Sequence, residues 1–321
     1  MSLLSAGIAF ALAWFAMAML LRHAVRLPQD RPNARSLHLG AVPRVGGLAI
    51  WAGWLGSVVW LPGAKPWLPP LLALIGISLL DDRRSVHPAL RLAIQVGAAG
   101  LWVWLADARV DAALAVLLIV WMANLYNFMD GSDGLAGTMG LVGFGTYAVA
   151  AWLVGSPSAV LFSALTAAIV PFLRYNAPPA RVFLGDAGSV PLGFLAAAFG
   201  ISGWLDHDWP TWFPVLVFLP FIADASITLA LRLARGARIW EAHREHAYQH
   251  LVQLGWGHGR TLALYAGLMV GAAVTALVTR FRAPDLGLAA LCLWTVVLAL
   301  VFAVIEYHWR RRGAGLEESK G

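Results

Sequence analysis

The chain has few charged residues and almost no cysteine. Of its 321 residues 12% are charged, 60% are hydrophobic, and one, Cys292, is a cysteine. Soluble domains carry about 25% charged residues, so this composition excludes an ordinary soluble protein. The single thiol excludes a disulfide framework and a cysteine-based zinc site. The 23 Lys and Arg are scattered between apolar segments and form no basic arm, which argues against nucleic-acid binding.

Long apolar stretches are abundant instead. A bilayer core needs roughly 20 apolar residues per helix. The sequence therefore predicts an all-α fold, a polytopic bundle of about 11 transmembrane helices near 3–21, 46–62, 66–80, 91–106, 112–129, 135–154, 159–173, 188–205, 211–231, 261–279 and 286–306. The uncharged stretch 134–173 is too long for one crossing and should reverse at 155–158. We expect residues 1–306 to form one transmembrane domain and 307–321 a cytoplasmic tail, with the last dozen residues disordered.

The basic residues predict the orientation of the bundle. Of the 23 Lys and Arg, 19 fall in the alternate connections 22–45, 81–91, 174–187, 232–260 and 307–321. Because cytoplasmic loops retain positive charge, the N-terminus is predicted outside and the C-terminus in the cytoplasm. Arg22 and Arg26 follow the first span and no basic residue precedes it, which indicates an uncleaved first helix. Most residues capable of chemistry then lie on the cytoplasmic side.

The first cytoplasmic cluster is Asp81 and Asp82, at the end of the third span. The C-terminal end of a helix disfavours anions, so a cation is expected nearby. One interpretation is that Arg83 and Arg84 pair with these carboxylates at the membrane surface. The other is that the carboxylates gather Mg²⁺ or take part in proton transfer or nucleophilic attack.

Two further clusters lie beside helix ends. In the first, Asn124 and Asn127 share a face of the fifth span and precede the Asp-Gly steps at Asp130 and Asp133, so we expect two amides and two carboxylates to converge. In the second, the eighth span begins beside Asp186, Gly188 and Ser189. The N–H groups of such a helix end suit phosphate. Asp186 would either cap the helix or hold a divalent ion.

The loop 232–260 carries His243, Arg244 and His246. The two histidines would share a face if this stretch is helical, but their spacing differs from that of a zinc protease. A basic surface for an anionic ligand fits better, although such a loop can also be merely solvated. Asp224, inside the ninth span, is interpreted as an interhelical partner of a buried Arg or Ser.

The motifs, taken in order, resemble the polyprenyl-phosphate N-acetylhexosamine-1-phosphate transferases, which are related to phospho-N-acetylmuramoyl-pentapeptide transferase. The matching motifs are Arg31-Pro-Asn-Ala-Arg-Ser-Leu-His38 with Pro43-Arg44-Val-Gly46-Gly47, Asp81-Asp82, Asp130-Gly-Ser-Asp133-Gly, Phe183-Leu-Gly-Asp186-Ala-Gly-Ser189 and His243-Arg-Glu-His246-Ala-Tyr-Gln249. Where the best-known branches have adjacent histidines, this chain has Tyr248-Gln249, which resembles the O-antigen and capsule branch.

The resemblance implies transfer of a sugar 1-phosphate from a UDP-N-acetylhexosamine to undecaprenyl phosphate in the bacterial inner membrane, releasing UMP. Mg²⁺ is the implied cofactor, with Mn²⁺ as a substitute, and a homodimer is compatible with it. The implied catalytic residues are Asp81, Asp82, Asp130 and Asp133. The implied metal ligands are Asp186 and Asn127. The implied substrate-binding residues are His38, Arg44, Asn124, Asn127, Gly188, Ser189, His243, Arg244 and His246.

Two alternatives stay open. Direct attack of the lipid phosphate on the sugar-bearing phosphorus is favoured, since a phosphomonoester is largely ionised at neutral pH. A covalent phosphosugar on an aspartate would instead release UMP without lipid. A transporter or flippase of an anionic metabolite or lipid-linked sugar also fits a helical bundle with basic mouths, but transporters place polar residues near the bilayer midplane.

Overall fold

A computed structural model describes residues 2–23, 29–30, 41–84, 86–238 and 243–318. Within them the chain forms two short antiparallel strands, β1 Gln29–Asp30 and β2 Val42–Pro43. The helices are α1 Ser2–Arg22, α2 Gly46–Val58, α3 Leu68–Arg83, α4 Pro88–Leu105, α5 Ala112–Phe128, α6 Leu135–Leu153, α7 Ala159–Asn176, α8 Asp186–Leu205, α9 Trp212–Ala234, α10 Ala247–Leu251, α11 Gly257–Arg282 and α12 Gly287–Glu318.

The predicted polytopic helical membrane fold is confirmed. Among the described residues, nine segments are long and apolar enough to cross a membrane, and α2 and α5 are shorter apolar helices. Together they match the 11 predicted spans. The reversal is confirmed as well, because α6 ends at Leu153, α7 begins at Ala159, and Gly155 between them has a φ of +73°.

The C-terminal end of the described chain differs from the prediction. Residues expected to be disordered continue α12 as far as Glu318. A helical pair stabilises this extension, since Arg310 donates to Glu306 one turn earlier at 2.7 Å. The prediction of disorder was based on the low hydropathy of this segment. Glu and Arg are good helix formers, however, and they extend a helix whose preceding turns are already formed in the transmembrane segment.

Helix α8 lies at the centre of the bundle and contacts α2, α3, α5, α6 and α9. The C-terminal half of α8 packs through Phe199, whose ring centroid lies 4.6 Å from that of Trp67 and 4.7 Å from that of Phe162. At its other end, Gly188 lies so close to Gly47 of α2 that a Cβ on either residue would overlap the backbone of the other. Small residues allow this close approach of membrane helices.

A backbone ladder joins the start of α2 to the start of α8. Phe183 donates its amide to Pro43 at 2.8 Å, and Gly46 and Gly47 donate theirs to Phe183 and Leu184 at 2.9 Å. The segments before both helices are therefore fixed side by side. This ladder places Arg44 beside the first turn of α8.

Candidate active site

Acidic and basic side chains from separate helices meet at the end of the bundle where α3 ends and α8 begins. Asp81 and Asp82 come from the last turn of α3, and Arg91 comes from the first turn of α4. Asp186 is the first residue of α8, and Arg44 lies just before α2. Because consecutive membrane helices alternate in direction, residues far apart in the chain come together at one end of the bundle.

Arg91 is the central cation of this cluster. It forms an ion pair with Asp81 and also lies 3.6 Å from Oδ2 of Asp186. Arg44 lies 3.7 Å from Oδ1 of the same carboxylate. Arg91 was not among the residues predicted from the sequence, and the predicted partners of Asp81 were Arg83 and Arg84. A usable signal was present, since an Arg in the first turn of an apolar helix opposes the helix dipole and requires anions nearby.

Asp82 differs from Asp81 in having a free oxygen. The amide of Val86 donates to Asp81 at 2.8 Å, so that carboxylate is held from two sides. Asp82 accepts the amide N–H of Ala187, at the start of α8. Its Oδ2 is buried without a hydrogen-bond partner among the described residues. A Cβ at Gly185, which has a φ of +74°, would lie 3.5 Å from this oxygen. Asp82 is thus the carboxylate with capacity left for a ligand.

The first turn of α8 does not offer the predicted phosphate site at Gly188 and Ser189. Their amides donate to the carbonyl of Gly185 at 2.8 and 3.0 Å. The Ser189 side chain is fully buried, and its hydroxyl donates to Oδ1 of Asn127 at 2.8 Å. These N–H groups are used in closing the turn, and the anion at the helix start is Asp82. Gly188 and Ser189 therefore contribute to packing.

Asp130 belongs to the same cluster electrostatically. It lies in the turn between α5 and α6, where burial raises the pKa of its carboxyl well above the usual value. The charges of Asp186 and Asp82 raise this pKa further, while that of Arg44 lowers it. A carboxyl that resists ionisation beside two other carboxylates is a site where a bound cation would be favoured.

The two amides and two carboxylates that were predicted to converge have different hydrogen-bond partners. Asn124 donates to Oε1 of Gln95 in α4 at 2.6 Å, so it joins two helices. Asp133 accepts the amide of Ala180 at 2.9 Å, which braces the connection between α7 and α8. Asn127 accepts the hydroxyl of Ser189 in α8. Side chains that share a helix face point to different neighbours because the bundle surrounds the helix on several sides.

The histidine loop, residues 243–246, is irregular, so the condition under which His243 and His246 would share a helical face is not met. Helix α10 begins only at Ala247, yet the rings of His243 and His246 lie 4.9 Å apart between centroids. Burial lowers the pKa of His243 to about 4, aided by the neighbouring His246 and Arg232. His243 is therefore neutral at physiological pH and adds no positive charge for an anion. Arg244 is half-buried, and His38 lies outside the described residues.

Tyr248 and Gln249, which depart from the adjacent histidines of the best-known branches, are buried. The Tyr248 hydroxyl donates to the carbonyl of Phe128 at 3.0 Å. Oε1 of Gln249 accepts the amide of His246 at 3.2 Å. Both side chains hold the histidine loop in place. Asp224 is interhelical as predicted, but its partners include Tyr265 and the backbone amides at the start of α10 rather than an Arg or Ser.

The carboxylates at the ends of α3 and α8 fit a magnesium ion that takes some of its ligands from the substrate. They do not fit a metal ion whose ligands all come from the protein. Among the described residues, no group of three His, Cys, Asp or Glu side chains is placed to hold a metal. Magnesium in phosphate-handling sites usually takes one or two carboxylates and completes its shell with phosphate oxygens and waters. The unpartnered Oδ2 of Asp82 and the adjacent Asp186 supply that number.

The fold and the site together define a polytopic helical membrane protein with a carboxylate and arginine cluster at one end. Residues 67–203 match the family model of glycosyl transferase family 4. That range contains Asp81, Asp82, Asn127, Asp130 and Asp186.

Individual proteins are similar over most of the chain. One is the undecaprenyl-phosphate alpha-N-acetylglucosaminyl 1-phosphate transferase of Escherichia coli K12, 27% identical over 87% of this chain and 82% of that protein. A second is the decaprenyl-phosphate N-acetylglucosaminephosphotransferase of Mycobacterium tuberculosis H37Rv, at 26% over 85% and 81%. A third is a probable undecaprenyl-phosphate N-acetylglucosaminyl 1-phosphate transferase of Bacillus subtilis, at 28% over 71% of each chain. These comparisons confirm the resemblance drawn from the motifs.

Proposed function

We propose that this protein transfers N-acetylhexosamine 1-phosphate from a UDP-sugar to undecaprenyl phosphate, giving undecaprenyl-diphospho-sugar and UMP. The reaction would initiate O-antigen, capsule or another envelope glycan at the cytoplasmic face of the bacterial inner membrane. The names of the relatives support polyprenyl phosphate as the acceptor. One observation carries the proposal, namely the meeting of Asp82, Asp130 and Asp186 with Arg44 and Arg91.

The chemistry exchanges one phosphoanhydride for another. An oxygen of the lipid phosphate bonds to the sugar-bearing phosphorus, the bond from that phosphorus to the bridging oxygen breaks, and UMP departs with the bridging oxygen. The protein's task is to bring two anions together and to stabilise the charge that moves onto UMP. Arg44, which is partly exposed beside Asp186, is placed to hold phosphate oxygens. The lipid phosphate is a phosphomonoester that is largely ionised at neutral pH, so the attack needs no strong base from the protein.

Asp82 and Asp186 would hold the magnesium ion. When bound, Mg²⁺ neutralises the donor diphosphate and the developing charge on UMP. Asp81 is fixed by Arg91 and the Val86 amide, so its role is to position Arg91. The same fixation argues against Asp81 as a covalent nucleophile.

The test is UMP release by purified protein from UDP-N-acetylglucosamine and undecaprenyl phosphate. We expect Asp82→Asn and Asp186→Asn each to lower the rate at least about a hundredfold, in the range found when a group that stabilises developing charge is removed. Asp206→Asn is the matched control, since Asp206 is exposed after the last residue of α8, at the opposite end of that helix. Full activity in both active-site variants would overturn the proposal.

The same assay separates the alternatives. UMP released without lipid would indicate a covalent phosphosugar on an aspartate. Movement of labelled substrate across proteoliposomes without UMP would indicate a transporter or flippase. A panel of UDP-sugars then identifies the N-acetylhexosamine, and chelation with restoration by Mg²⁺ or Mn²⁺ tests the metal.

A further inference from the structure

Asp224 is a buried carboxylate that the proposed reaction does not use. It lies in α9, ten residues before the end of that helix at Ala234, which corresponds to roughly 15 Å along the axis. Only 1% of its surface is exposed. A charged group this deep in an apolar bundle is costly unless hydrogen bonds compensate for the lost water.

Four hydrogen-bond donors surround this carboxylate. Oδ1 accepts the amide of Ala247 at 2.9 Å and the hydroxyl of Thr228 at 3.3 Å. Oδ2 accepts the amide of Tyr248 at 3.3 Å and the hydroxyl of Tyr265 in α11. Two of these donors are the backbone amides that directly follow the histidine loop. Asp224 therefore fixes the point at which the loop enters α10.

The same carboxylate lies against the imidazole of His246. Nδ1 of His246 is 3.5 Å from Oδ1 of Asp224, and the histidine is 2% exposed. Nδ1 is buried and has no hydrogen-bond partner among the described residues, so the carboxylate acts on the ring through close packing and charge. The ring also stacks on Phe128, at the end of α5 two residues before Asp130.

We infer that Asp224 is a positioning residue that holds His246 and the histidine loop against the Asp130 turn. This inference rests on the proposed function, because the family resemblance implies that His243, Arg244 and His246 bind the substrate. It predicts that an asparagine, which has the same shape as Asp224, cannot hold the loop in place. Each carboxylate oxygen meets a backbone N–H, which can only donate, so in Asp224→Asn the amide NH₂ would face an N–H in either orientation.

The experiment compares Asp224→Asn with Thr228→Val. The control removes a hydroxyl from the same carboxylate, one turn along α9, but leaves both backbone bonds in place. We expect Asp224→Asn to raise the KM for the UDP-sugar or lower kcat, with kcat/KM falling about ten- to a hundredfold, while the KM for undecaprenyl phosphate stays within about twofold. A fold-change of this size corresponds to one buried donor left unpaired. Thr228→Val should stay near wild type.

Two readouts separate positioning from general destabilisation. Hydrogen exchange of a peptide covering 243–252 should rise in Asp224→Asn, with peptides of α1 and α7 unchanged. In a double-mutant cycle, Asp224→Asn should add little to the loss already caused by His246→Ala, because coupled residues are non-additive. Unchanged exchange, additive losses or wild-type kinetics would overturn the inference while leaving the proposed function standing. Absence of UMP from the wild-type protein would overturn both.

Discussion

Replacing Arg91 by Met removes a side chain that contacts both Asp81 and Asp186. The ion pair with Asp81 is hydrogen-bonded, and such a bond to a charged partner contributes roughly 1.5–3 kcal/mol. The contact with Asp186 at 3.6 Å is longer and partly exposed, so about 0.2–1 kcal/mol is reasonable there. The loss then totals about 2–4 kcal/mol, divided between stability and catalysis.

The two contacts should affect different measurements. Loss of the Asp81 pair loosens the connection between α3 and α4, which lowers thermal stability. Loss of the Asp186 contact misplaces a proposed metal ligand. If about 2 kcal/mol of the loss reaches the transition state, kcat/KM falls about thirtyfold. UMP release and thermal unfolding in detergent measure the two effects separately.

Arg84→Met is the matched control for Arg91→Met. Arg84 is exposed and directly follows α3, so Arg84→Met removes the same charge close to the same carboxylates. Arg91→Lys should recover only part of the activity, because a lysine ammonium is a compact point charge that lacks the rigid, planar arrangement of N–H donors in a guanidinium. Equal damage from Arg84→Met and Arg91→Met would show that net charge, rather than the bridging geometry, matters, and the reasoning would be refuted.

Three further predictions concern pKa and packing. Asp130→Asn should raise thermal stability at pH 8 in the presence of chelator. The reason is that a carboxyl with a raised pKa contributes to stability only while it is protonated, and this contribution is lost as the pH rises. A stability difference from wild type that does not shrink toward pH 5 would contradict this. His243→Asn should leave the shape of the pH–rate profile between pH 6 and 8 unchanged even where the rate falls, because the pKa of His243 is about 4; loss of a wild-type limb near pH 6.5 would show otherwise. Gly47→Val should destabilise the fold by about 1–3 kcal/mol and lower the unfolding temperature, because its Cβ would overlap Gly188. Gly76→Ala should be tolerated, because its Cβ would meet no atom within 4 Å. Equal unfolding temperatures of the two variants would refute the packing argument.

The membrane fold could be predicted from sequence because hydropathy acts residue by residue. An apolar stretch long enough to cross the bilayer must satisfy its own backbone hydrogen bonds, and a helix does so without help from distant residues. The spans around α6 and α7, with the turn at Gly155, follow from that rule alone. The extension of α12 to Glu318 does not, since it depends on helix formers beyond the apolar segment.

Part of the candidate site was also predictable. The carboxylates at Asp82, Asp130 and Asp186 sit beside helix ends, and the order of their motifs resembled a known family. The pairing of each group was not predictable. The position of Arg91 in the first turn of α4 indicates nearby anions but does not say that they are Asp81 and Asp186. Ser189 was predicted to bind phosphate, whereas its hydroxyl is bonded to Asn127.

The sequence by itself determined which segments are helices in a membrane and which of their ends carry acidic groups, because both properties are local. Only the tertiary structure decided which groups are free for a ligand. Asp81 and Asp82 are neighbours in the chain with the same side chain, yet Arg91 occupies one and the other keeps an unpartnered oxygen. That difference arises from the distance between α3, α4 and α8, which is set by packing between helices.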